Sequence, residues 1–422
     1  MWQLIANGFY FLSSQSWAGL LSLFWFTILF DVPRYMFSFL AATLCSPFRN
    51  LPDDKALNVG KVSAVLAGHN EASGIERCVR SLNEQSQRPD EIIVVSDGST
   101  DAMSEKLQQL RKEGIVDQVH CTHLRGGKSA ALNLGERYAR GDIVIIADCD
   151  STYHRHAIKS IVKPFVDPKV GAVSGNILIG NTAQTLITKF QAIEYLINIS
   201  LGKQASALAD QITCVSGAFG AFRRSALEGV NGVDVGGGED FDLTLKLRKA
   251  GWKVQFTPDA ICYTDPPTTL RAFIRQRFRW ERDTLRLRYR KHIDLVNPFS
   301  RNFELKELFH EIEFFVFDLA GAVILPIYIV WLFLSYGELA LAILLAVQIG
   351  LFFFTLVSFI LAALSTPCAK VLHLLPYTLG YSFFSGFVMR HVRLAAYIQE
   401  WLFNASSGDE YLPQKVRLIR RW

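Results

Sequence analysis

Asp148 and Asp150 stand one residue apart at the end of the apolar run "DIVIIADCD" (142–150). The run is typical of a buried strand, and alternate strand residues face the same side, so both carboxylates point one way. Paired carboxylate oxygens suit a hard divalent cation such as Mg2+ or Mn2+. Such an ion can hold a diphosphate and stabilise the charge it gains on leaving. The same motif recurs by chance at strand ends, so it needs support from its neighbours.

Two further segments carry groups suited to a nucleotide. Asp97 follows the apolar run "EIIVVS", where a carboxylate can accept hydrogen bonds from a base or a ribose. "RGGKSAALN" (125–133) places two glycines and Lys128 at a predicted helix start, so free backbone N–H groups and an ammonium suit phosphate. Its spacing is not that of a P-loop. Taken singly, each segment is equally compatible with an ordinary turn or loop.

A candidate general base lies in "VGGGED" (235–240), where Glu239 and Asp240 follow three glycines at the start of a predicted amphipathic helix. Glycine lets the backbone approach a ligand closely, and a carboxylate there could take a proton from an attacking hydroxyl. The alternative is that both acids favour the helix N-terminus through its dipole.

"RQRFRWERD" (275–283) is the most unusual segment, since cations, acids and aromatic residues alternate within nine positions. Its periodicity predicts an amphipathic helix with Arg277 and Trp280 on one stripe and Gln276 and Arg279 on the adjoining one. A basic helix that only anchors to lipid headgroups is the simpler interpretation. We expect the helix to have two roles. It anchors to the underside of a membrane, and it closes the active site from that side.

The elements that would position these residues alternate between strand and helix. Apolar runs at 61–68, 91–97 and 142–150 predict strands, a short strand is expected near 116–120, and helices are expected at about 101–113 and 128–139. This order predicts an α/β domain with a mostly parallel sheet. Ligands of such sheets bind beyond the carboxyl ends of the strands, which is where the polar residues fall.

Membrane segments are expected on both sides of this domain, because the chain is 50% apolar. Residues 1–30 carry no charge and predict one membrane helix over about 9–31, followed by an interfacial segment at 35–44. Runs at 319–337 and 339–369 are long enough to span, whereas 371–389 is of marginal length. Basic residues crowd into 271–301 and 390–421, which favours a cytosolic position for both segments.

Composition excludes two other classes of protein. The seven cysteines form no C-x-x-C pair, which favours reduced thiols over a zinc site or a disulfide framework. The basic clusters adjoin apolar runs and match no nucleic-acid-binding motif, so no nucleic-acid partner is expected.

In this order the motifs resemble those of family 2 glycosyltransferases, and most closely the membrane-embedded synthases of cellulose, hyaluronan, chitin and poly-N-acetylglucosamine. The resemblance covers about 60–285 and ends on Gln276-x-x-Arg279-Trp280, the signature of processive members. The matching residues are Asn70-Glu71, Asp97, "GKSAALN", Asp148-x-Asp150, "SGAFGAFRR" from Ser216-Gly217, "GED" and the Q-x-x-R-W motif.

The resemblance implies a cytosolic GT-A-type nucleotide-sugar-binding domain and a role for each matching residue. The implied nucleotide-sugar site comprises Asn70, Glu71, Asp97, Lys128 and Asp148. Asp150, with Asp148, would bind Mg2+ or Mn2+, and Asp240 would be the general base with Glu239 beside it. The implied diphosphate and acceptor contacts are Gln276, Arg279, Trp280, Ser216 and Gly217. The implied reaction is a single displacement on a UDP-sugar, glucose or N-acetylglucosamine, that inverts the anomeric centre.

The resemblance also implies the organisation of the chain and its partners. The expected regions are an N-terminal membrane region (1–46), the glycosyltransferase domain (55–268), interfacial helices (269–302), a C-terminal membrane region of two or three spans (303–400) and a basic tail (401–422). The expected setting is the cell membrane with a cytosolic catalytic domain. Expected partners are a UDP-sugar, a polysaccharide or lipid acceptor, the bilayer, and a homo-oligomer or accessory export proteins.

Two alternatives remain at this stage. A non-processive transferase that adds one sugar to a membrane lipid, as ceramide glucosyltransferases do, shares most of these motifs. "ERD" after Trp280, where many synthases have small residues, leaves the product open. A nucleotide-sensing membrane transport protein would suit the acid Asp318 at the edge of an apolar run, but it would not need these motifs in this order.

Overall fold

A computed structural model describes residues 2–28, 36–45, 59–366 and 371–408 of the chain. Its centre is an eight-stranded sheet in the order β3-β2-β1-β4-β7-β6-β8-β5. The strands are β1 (Val62–Gly68), β2 (Glu91–Asp97), β3 (Gln118–Thr122), β4 (Ile143–Asp148), β5 (Thr152–Tyr153), β6 (Val170–Ile179), β7 (Phe219–Arg223) and β8 (Lys253–Thr264).

The first four strands pair in parallel, as the sequence predicts, in the order β3-β2-β1-β4. The second half of the sheet is mixed: β6 and β8 pair in parallel, in keeping with the predicted mostly parallel sheet, whereas the other pairs do not. β7 runs antiparallel to both β4 and β6, and β5 runs antiparallel to β8. The sheet is therefore mixed, and the segments that follow β4 and precede β7 meet at one edge.

Helices cover both faces of this sheet and continue into a helical region. The helices of the sheet domain are α4 (Ile75–Asn83), α5 (Met103–Lys112), α6 (Lys128–Tyr138), α7 (Ala157–Val162), α8 (Leu186–Glu194), α9 (Gly202–Leu208), α10 (Arg224–Gly229) and α11 (Glu239–Lys249). The other helices are α1 (Trp2–Ser14), α2 (Trp17–Phe26), α3 (Ser38–Cys45), α12 (Leu270–Arg286), α13 (Leu305–Phe314), α14 (Gly321–Tyr336), α15 (Leu339–Ser365), α16 (Thr378–Phe383) and α17 (Arg390–Phe403).

The strands of the sheet centre are buried on both faces because their side chains alternate between two cores. Ala64 and Leu66 of β1 pack with α4, α5 and α7 on one face, whereas Val65 packs with α6, α10 and α11 on the other. A strand with both faces covered reads as a continuous apolar run, which explains why the sequence identified β1, β2 and β4. Their polar carboxyl ends stay at the rim.

Within the part of the chain that the structure describes, two helices are long and apolar enough to cross a membrane. One runs over Leu305–Tyr336 and joins α13 to α14 through a π-helical stretch, and the other is α15. The turn between them follows Tyr336, where Gly337 has a φ of 54°. The run at 371–389 forms a short 3-10 turn, α16 and a π-helical stretch that leads into α17, and it is not one of these two candidate spans.

The single helix expected over about 9–31 is wrong for the described residues. The helix α1 ends at Ser14. Ser16 then caps a second helix, α2, by accepting a hydrogen bond from the backbone N–H of Gly19. The hydroxyl of Ser16 competes for backbone N–H groups, which favours a helix start at that point. α1 packs on α15, where a side chain at Gly8 would collide with Ala342. The expected tail from 409 onwards and the segments 29–35, 46–58 and 367–370 lie outside the described residues.

Candidate active site

A cavity of about 770 Å3 opens at the carboxyl ends of β1, β2 and β4. β8, α11 and α12 complete its walls. The sequence-predicted residues that line it are Glu71, Asp97, Lys128, Asp148, Asp150, Ser216, Gly217, Glu239, Asp240, Gln276, Arg279 and Trp280. Residues almost 210 positions apart in the chain therefore share one space.

Asn70 is the one predicted site residue that does not line this cavity. Its φ is 61°, a left-handed conformation that asparagine tolerates better than most residues. Its side-chain oxygen accepts hydrogen bonds from the backbone N–H groups of Thr100, at 2.8 Å, and Asp101, at 3.3 Å. Asn70 thus joins the loop after β1 to the loop after β2, and its predicted contact with the nucleotide stays a prediction.

Acidic side chains crowd one end of the cavity. Burial, then the charges of Asp150 and Asp148, raise the pKa of Glu71 to about 7. Burial, followed by the charge of Asp148, raises the pKa of Asp150 to about 6. Part of each shift comes from repulsion between neighbouring carboxylates. A divalent cation bound among them would reduce this repulsion.

The residues present fit a divalent cation that is shared with a ligand. Among the described residues, no three His, Cys, Asp or Glu side chains form a ready-made metal cluster. Mg2+ is commonly held by one or two carboxylates together with substrate phosphates rather than by a full protein cage. Asp148 and Asp150 would supply those carboxylates, and Ser151, which donates a hydrogen bond to Asp150 at 3.1 Å, steadies the second.

Lys128 connects the acidic end of the cavity to the candidate base. Its ammonium lies 2.8 Å from Asp148 and 2.9 Å from Glu239. Burial disfavours this ammonium, but the two carboxylates hold the pKa of Lys128 well above its usual range. A permanent cation between Asp148 and Glu239 is placed to meet a phosphate that enters from either side.

Asp97 builds the loop that carries Lys128. Its two carboxylate oxygens accept hydrogen bonds from the backbone N–H groups of Gly126 and Gly127, each at 2.7 Å. The sequence predicted that these N–H groups would be free for phosphate, and this is wrong because Asp97 already uses both. Gly127 has a φ of 90°, which a side chain would strain, and α6 begins at the next residue.

Asp240 lines the same cavity, close to Lys128 and Glu239. One of its carboxylate oxygens accepts the N–H of Gly217 at 3.2 Å, and the other accepts the N–H of Phe241 at 2.8 Å. Burial and the neighbouring charge of Glu239 raise the pKa of Asp240 above its ordinary value. Burial alone would also raise the pKa of Glu239, but the Lys128 ammonium lowers it. The pKa values of the two adjacent acids thus shift in opposite directions, which makes Asp240 the stronger base.

α12 forms one wall of the cavity with Gln276, Arg279 and Trp280. The guanidinium of Arg277, which points away from the cavity into the protein, lies 4.2 Å from the centroid of the Trp280 ring. It also forms an ion pair with Glu194 at 2.7 Å. Arg277, directly after Gln276, is therefore placed to orient the tryptophan, a role that the periodicity alone did not indicate.

Several cavity residues were not identified from the sequence. Lys203 at the start of α9 donates hydrogen bonds to the hydroxyls of Ser174 and Ser216. Asp265, directly after β8, pairs with Arg77 at 2.7 Å. The sequence does mark Lys203, because it is a single cation that follows the apolar segment "YLINISLG". No local pattern in the sequence indicates Asp265.

Comparison with known proteins adds three findings. Residues 60–282 match the family described as "Glycosyltransferase like family 2". The chain is 32% identical over 236 residues to "Poly-beta-1,6-N-acetyl-D-glucosamine synthase" of Staphylococcus aureus (54% of this chain, 56% of the relative). It is 30% identical over 243 residues to "Probable glycosyltransferase YdaM" of Bacillus subtilis (56% and 58%). The matches thus span little more than half the length of these relatives.

The fold resembles that of a solved enzyme. The mannosyltransferase from Pyrobaculum calidifontis, in complex with GDP-Man and Mn2+, aligns with a TM-score of 0.58 and 23% identity, over 80% of this chain and 97% of that one. At this identity the likeness concerns the fold alone, and it confirms the expected GT-A-type architecture with apolar helices attached.

Proposed function

Because the chain belongs to glycosyltransferase family 2, we propose that it transfers a sugar from a UDP-sugar to the hydroxyl of an acceptor and so extends a β-linked polysaccharide. The observation that carries this proposal is that Lys128 lies between Asp148 and Glu239, with the candidate base Asp240 next in the chain. Groups for a diphosphate and a group for a hydroxyl thus occupy one cavity. The relatives named as synthases support the polymer product.

The leaving diphosphate would be held by permanent charges. Lys128 and Arg279 both line the cavity, and the charge of Arg279 reaches Glu239, where it helps to lower the pKa of that acid. When bound by Asp148 and Asp150, Mg2+ or Mn2+ would supply further charge stabilisation to the diphosphate. Cations preorganised in a partly dry site stabilise developing negative charge far better than water does.

The acceptor hydroxyl would be activated by Asp240. Its raised pKa makes this carboxylate a better proton acceptor than an ordinary aspartate. The backbone N–H groups of Gly217 and Phe241 each fix one carboxylate oxygen, and each oxygen keeps a second lone pair for the acceptor hydroxyl. A single base is sufficient for one in-line displacement, and such a displacement inverts the anomeric centre.

The acceptor sugar would rest on Trp280. This side chain lines the cavity and is 37% exposed, so its ring offers a flat apolar face. Aromatic faces suit the apolar face of a sugar ring, and the cation of Arg277 behind the indole holds it in place. Gln276 also lines the cavity, where its amide would hydrogen-bond a hydroxyl of the acceptor.

The proposal extends to the membrane. α14 and α15 carry many exposed apolar side chains, among them Val330, Leu334 and Leu364. Exposed apolar area on this scale is what a lipid environment covers. We place these helices in the cell membrane and the sheet domain in the cytosol, with α12 beneath the bilayer.

The test is incubation of the purified full chain with UDP-glucose or UDP-N-acetylglucosamine and Mn2+, followed by measurement of released UDP and sizing of the product. We expect a polymer from one of the donors and no UDP release by Asp150→Ala. A product with a single sugar on a lipid would favour the non-processive alternative, and the absence of UDP release with any sugar donor would refute the transferase proposal.

A further inference from the structure

One helical face forms a wall of the cavity that none of the motifs describes. Tyr195 and Ile199, in the stretch that joins α8 to α9, and Lys203, at the start of α9, are spaced four residues apart, and all three line the cavity. Residues at this spacing share a face of a helix. The stretch is π-helical over Tyr195–Leu201, a conformation that is frequent at functional sites.

Lys203 is an unusual cation for such a wall. Its ammonium donates hydrogen bonds to the hydroxyls of Ser174 and Ser216, and no carboxylate of the described residues forms an ion pair with it. An ammonium has three N–H donors, so one remains for a ligand. Burial lowers the pKa of Lys203, whereas the nearby charge of Asp240 raises it, and the protonated form carries the third N–H donor.

The position of Lys203 relative to Asp240 defines what it can contact. Lys203 binds the side chain of Ser216, and Asp240 binds the backbone N–H of the next residue, Gly217. Adjacent Cα atoms are about 3.8 Å apart, so both groups border the same small volume. A sugar with one hydroxyl at Asp240 would bring a substituent on a neighbouring carbon within reach of Lys203.

The chemistry of this wall fits one kind of substituent. Ile199 offers apolar surface, and Lys203 offers a donor and a positive charge. An N-acyl group has a carbonyl oxygen for the donor and a methyl group for the apolar surface. A free amine at the same place is protonated near neutral pH, and a like charge at close range in a partly dry site is strongly disfavoured.

We propose that Tyr195, Ile199 and Lys203 form an acceptor subsite that binds an N-acylated sugar and rejects the corresponding sugar with a free amine. This subsite rests on the proposed transferase function and deepens it, because it determines which chain ends can be extended. A chain end that has lost its acyl group would no longer be a substrate.

The test compares three β-1,6-linked tetrasaccharides as acceptors for the full chain with UDP-N-acetylglucosamine and Mn2+: N-acetylglucosamine, glucosamine and glucose. We expect the wild-type kcat/KM to be highest for the N-acetylglucosamine acceptor (acetylated), lower for the glucose acceptor (hydroxyl) and lowest for the glucosamine acceptor (amine). Lys203→Met should reduce the ratio of kcat/KM for the acetylated acceptor to kcat/KM for the amine acceptor by at least about tenfold. The substitution removes the repulsion between the Lys203 ammonium and the charged amine of the sugar. Lys203→Arg should keep the ratio, and the exposed Lys253→Met is the matched control.

UDP release in the absence of an acceptor separates the two proposals. If Lys203→Met releases UDP from the donor at the wild-type rate but keeps the acceptor ratio unchanged, the subsite is refuted and the transferase proposal stands. If Lys203→Met does not fold, the wild-type order decides: equal use of the amine and hydroxyl acceptors refutes charge selection. If wild type neither releases UDP nor extends any acceptor, both proposals fail.

Discussion

The guanidinium of Arg277 lies between the indole of Trp280, 4.2 Å from its centroid, and the carboxylate of Glu194 at 2.7 Å. α8 is thereby linked through Arg277 to Trp280, a side chain that lines the cavity. The proposed acceptor platform on α12 is thus tied to a residue of another helix.

We expect Arg277→Lys to weaken acceptor binding while it leaves the donor site intact. Lysine keeps a charge for Glu194 but loses the planar stack, and cation–π contacts contribute about 0.5–2 kcal/mol. The acceptor KM should rise by about 2- to 30-fold, with little change in the affinity for UDP. Arg275→Lys, on an exposed position of the same helix, is the control. A weaker UDP affinity with unchanged acceptor KM would contradict this role.

Asp240→Asn should abolish transfer without loss of UDP binding. The substitution keeps the shape of the side chain and removes the proton acceptor, and loss of a general base costs roughly 10²–10⁴-fold in rate. Single-turnover transfer and titration with UDP measure the two properties separately. An unchanged rate would assign the base to another residue, of which Glu239 is the nearest.

Lys128→Met should move the acid limb of the pH–rate profile to higher pH. The base acts only when deprotonated, so transfer falls as the pH drops through the pKa of Asp240. Burial and Glu239 raise that pKa, whereas Lys128 lowers it. Removal of the ammonium therefore raises the pKa further, and the limb of kcat/KM follows. Lys128→Arg keeps the charge and should leave the limb in place; a limb that moves equally in both variants contradicts the assignment.

Glu281 couples α12 to the helical region, and its partners should show this energetically. It accepts hydrogen bonds from Arg393, at 3.0 Å, and from Tyr397, at 2.7 Å, and Arg393 also contacts Asp318 at 3.2 Å. A double-mutant cycle of Glu281→Gln and Arg393→Gln should give a coupling energy of about 0.5–3 kcal/mol in transfer rate. Gln399→Ala on α17 is the control. Strictly additive effects would contradict a coupling through this pair.

Asp242 should stabilise the protein only above acidic pH. Burial alone would raise its pKa, but His292 and Lys291 hold the pKa at about 2. A depressed pKa contributes stability that is full above the unfolded value near 3.9 and is lost as the pH falls toward 2. Asp242→Asn should therefore lower the free energy of unfolding by about 2 kcal/mol at pH 7, and the difference should shrink below pH 4. Thermal melts of both proteins at pH 7 and pH 3 measure it.

The sequence predicted what local patterns encode and missed what depends on distant contacts. β1, β2 and β4 are continuous apolar runs, and their acidic ends predicted Asp97, Asp148 and Asp150 as cavity residues. The antiparallel entry of β7 was not predicted, because strand direction depends on the path of the chain rather than on composition.

The same limit applies to the site. Lys203 and Asp265 reach the cavity from segments without a motif, and only the packing of α9 and the pairing of β8 within the sheet place them there. The hydrogen bonds from Gly126 and Gly127 to Asp97 join residues about thirty positions apart, so no local pattern shows that these N–H groups are occupied.

The contact between Gly8 and Ala342 constrains the order in which the protein can assemble. α1 is synthesised before its partner α15, which follows more than 300 residues later. At roughly 5–20 residues per second, translation reaches α15 tens of seconds after α1. The sheet domain has been synthesised by then, so α1 is without its partner α15 throughout that interval. A second copy of 339–365 fused ahead of residue 2 would shorten the interval and should compete with the native α15 for the surface around Gly8.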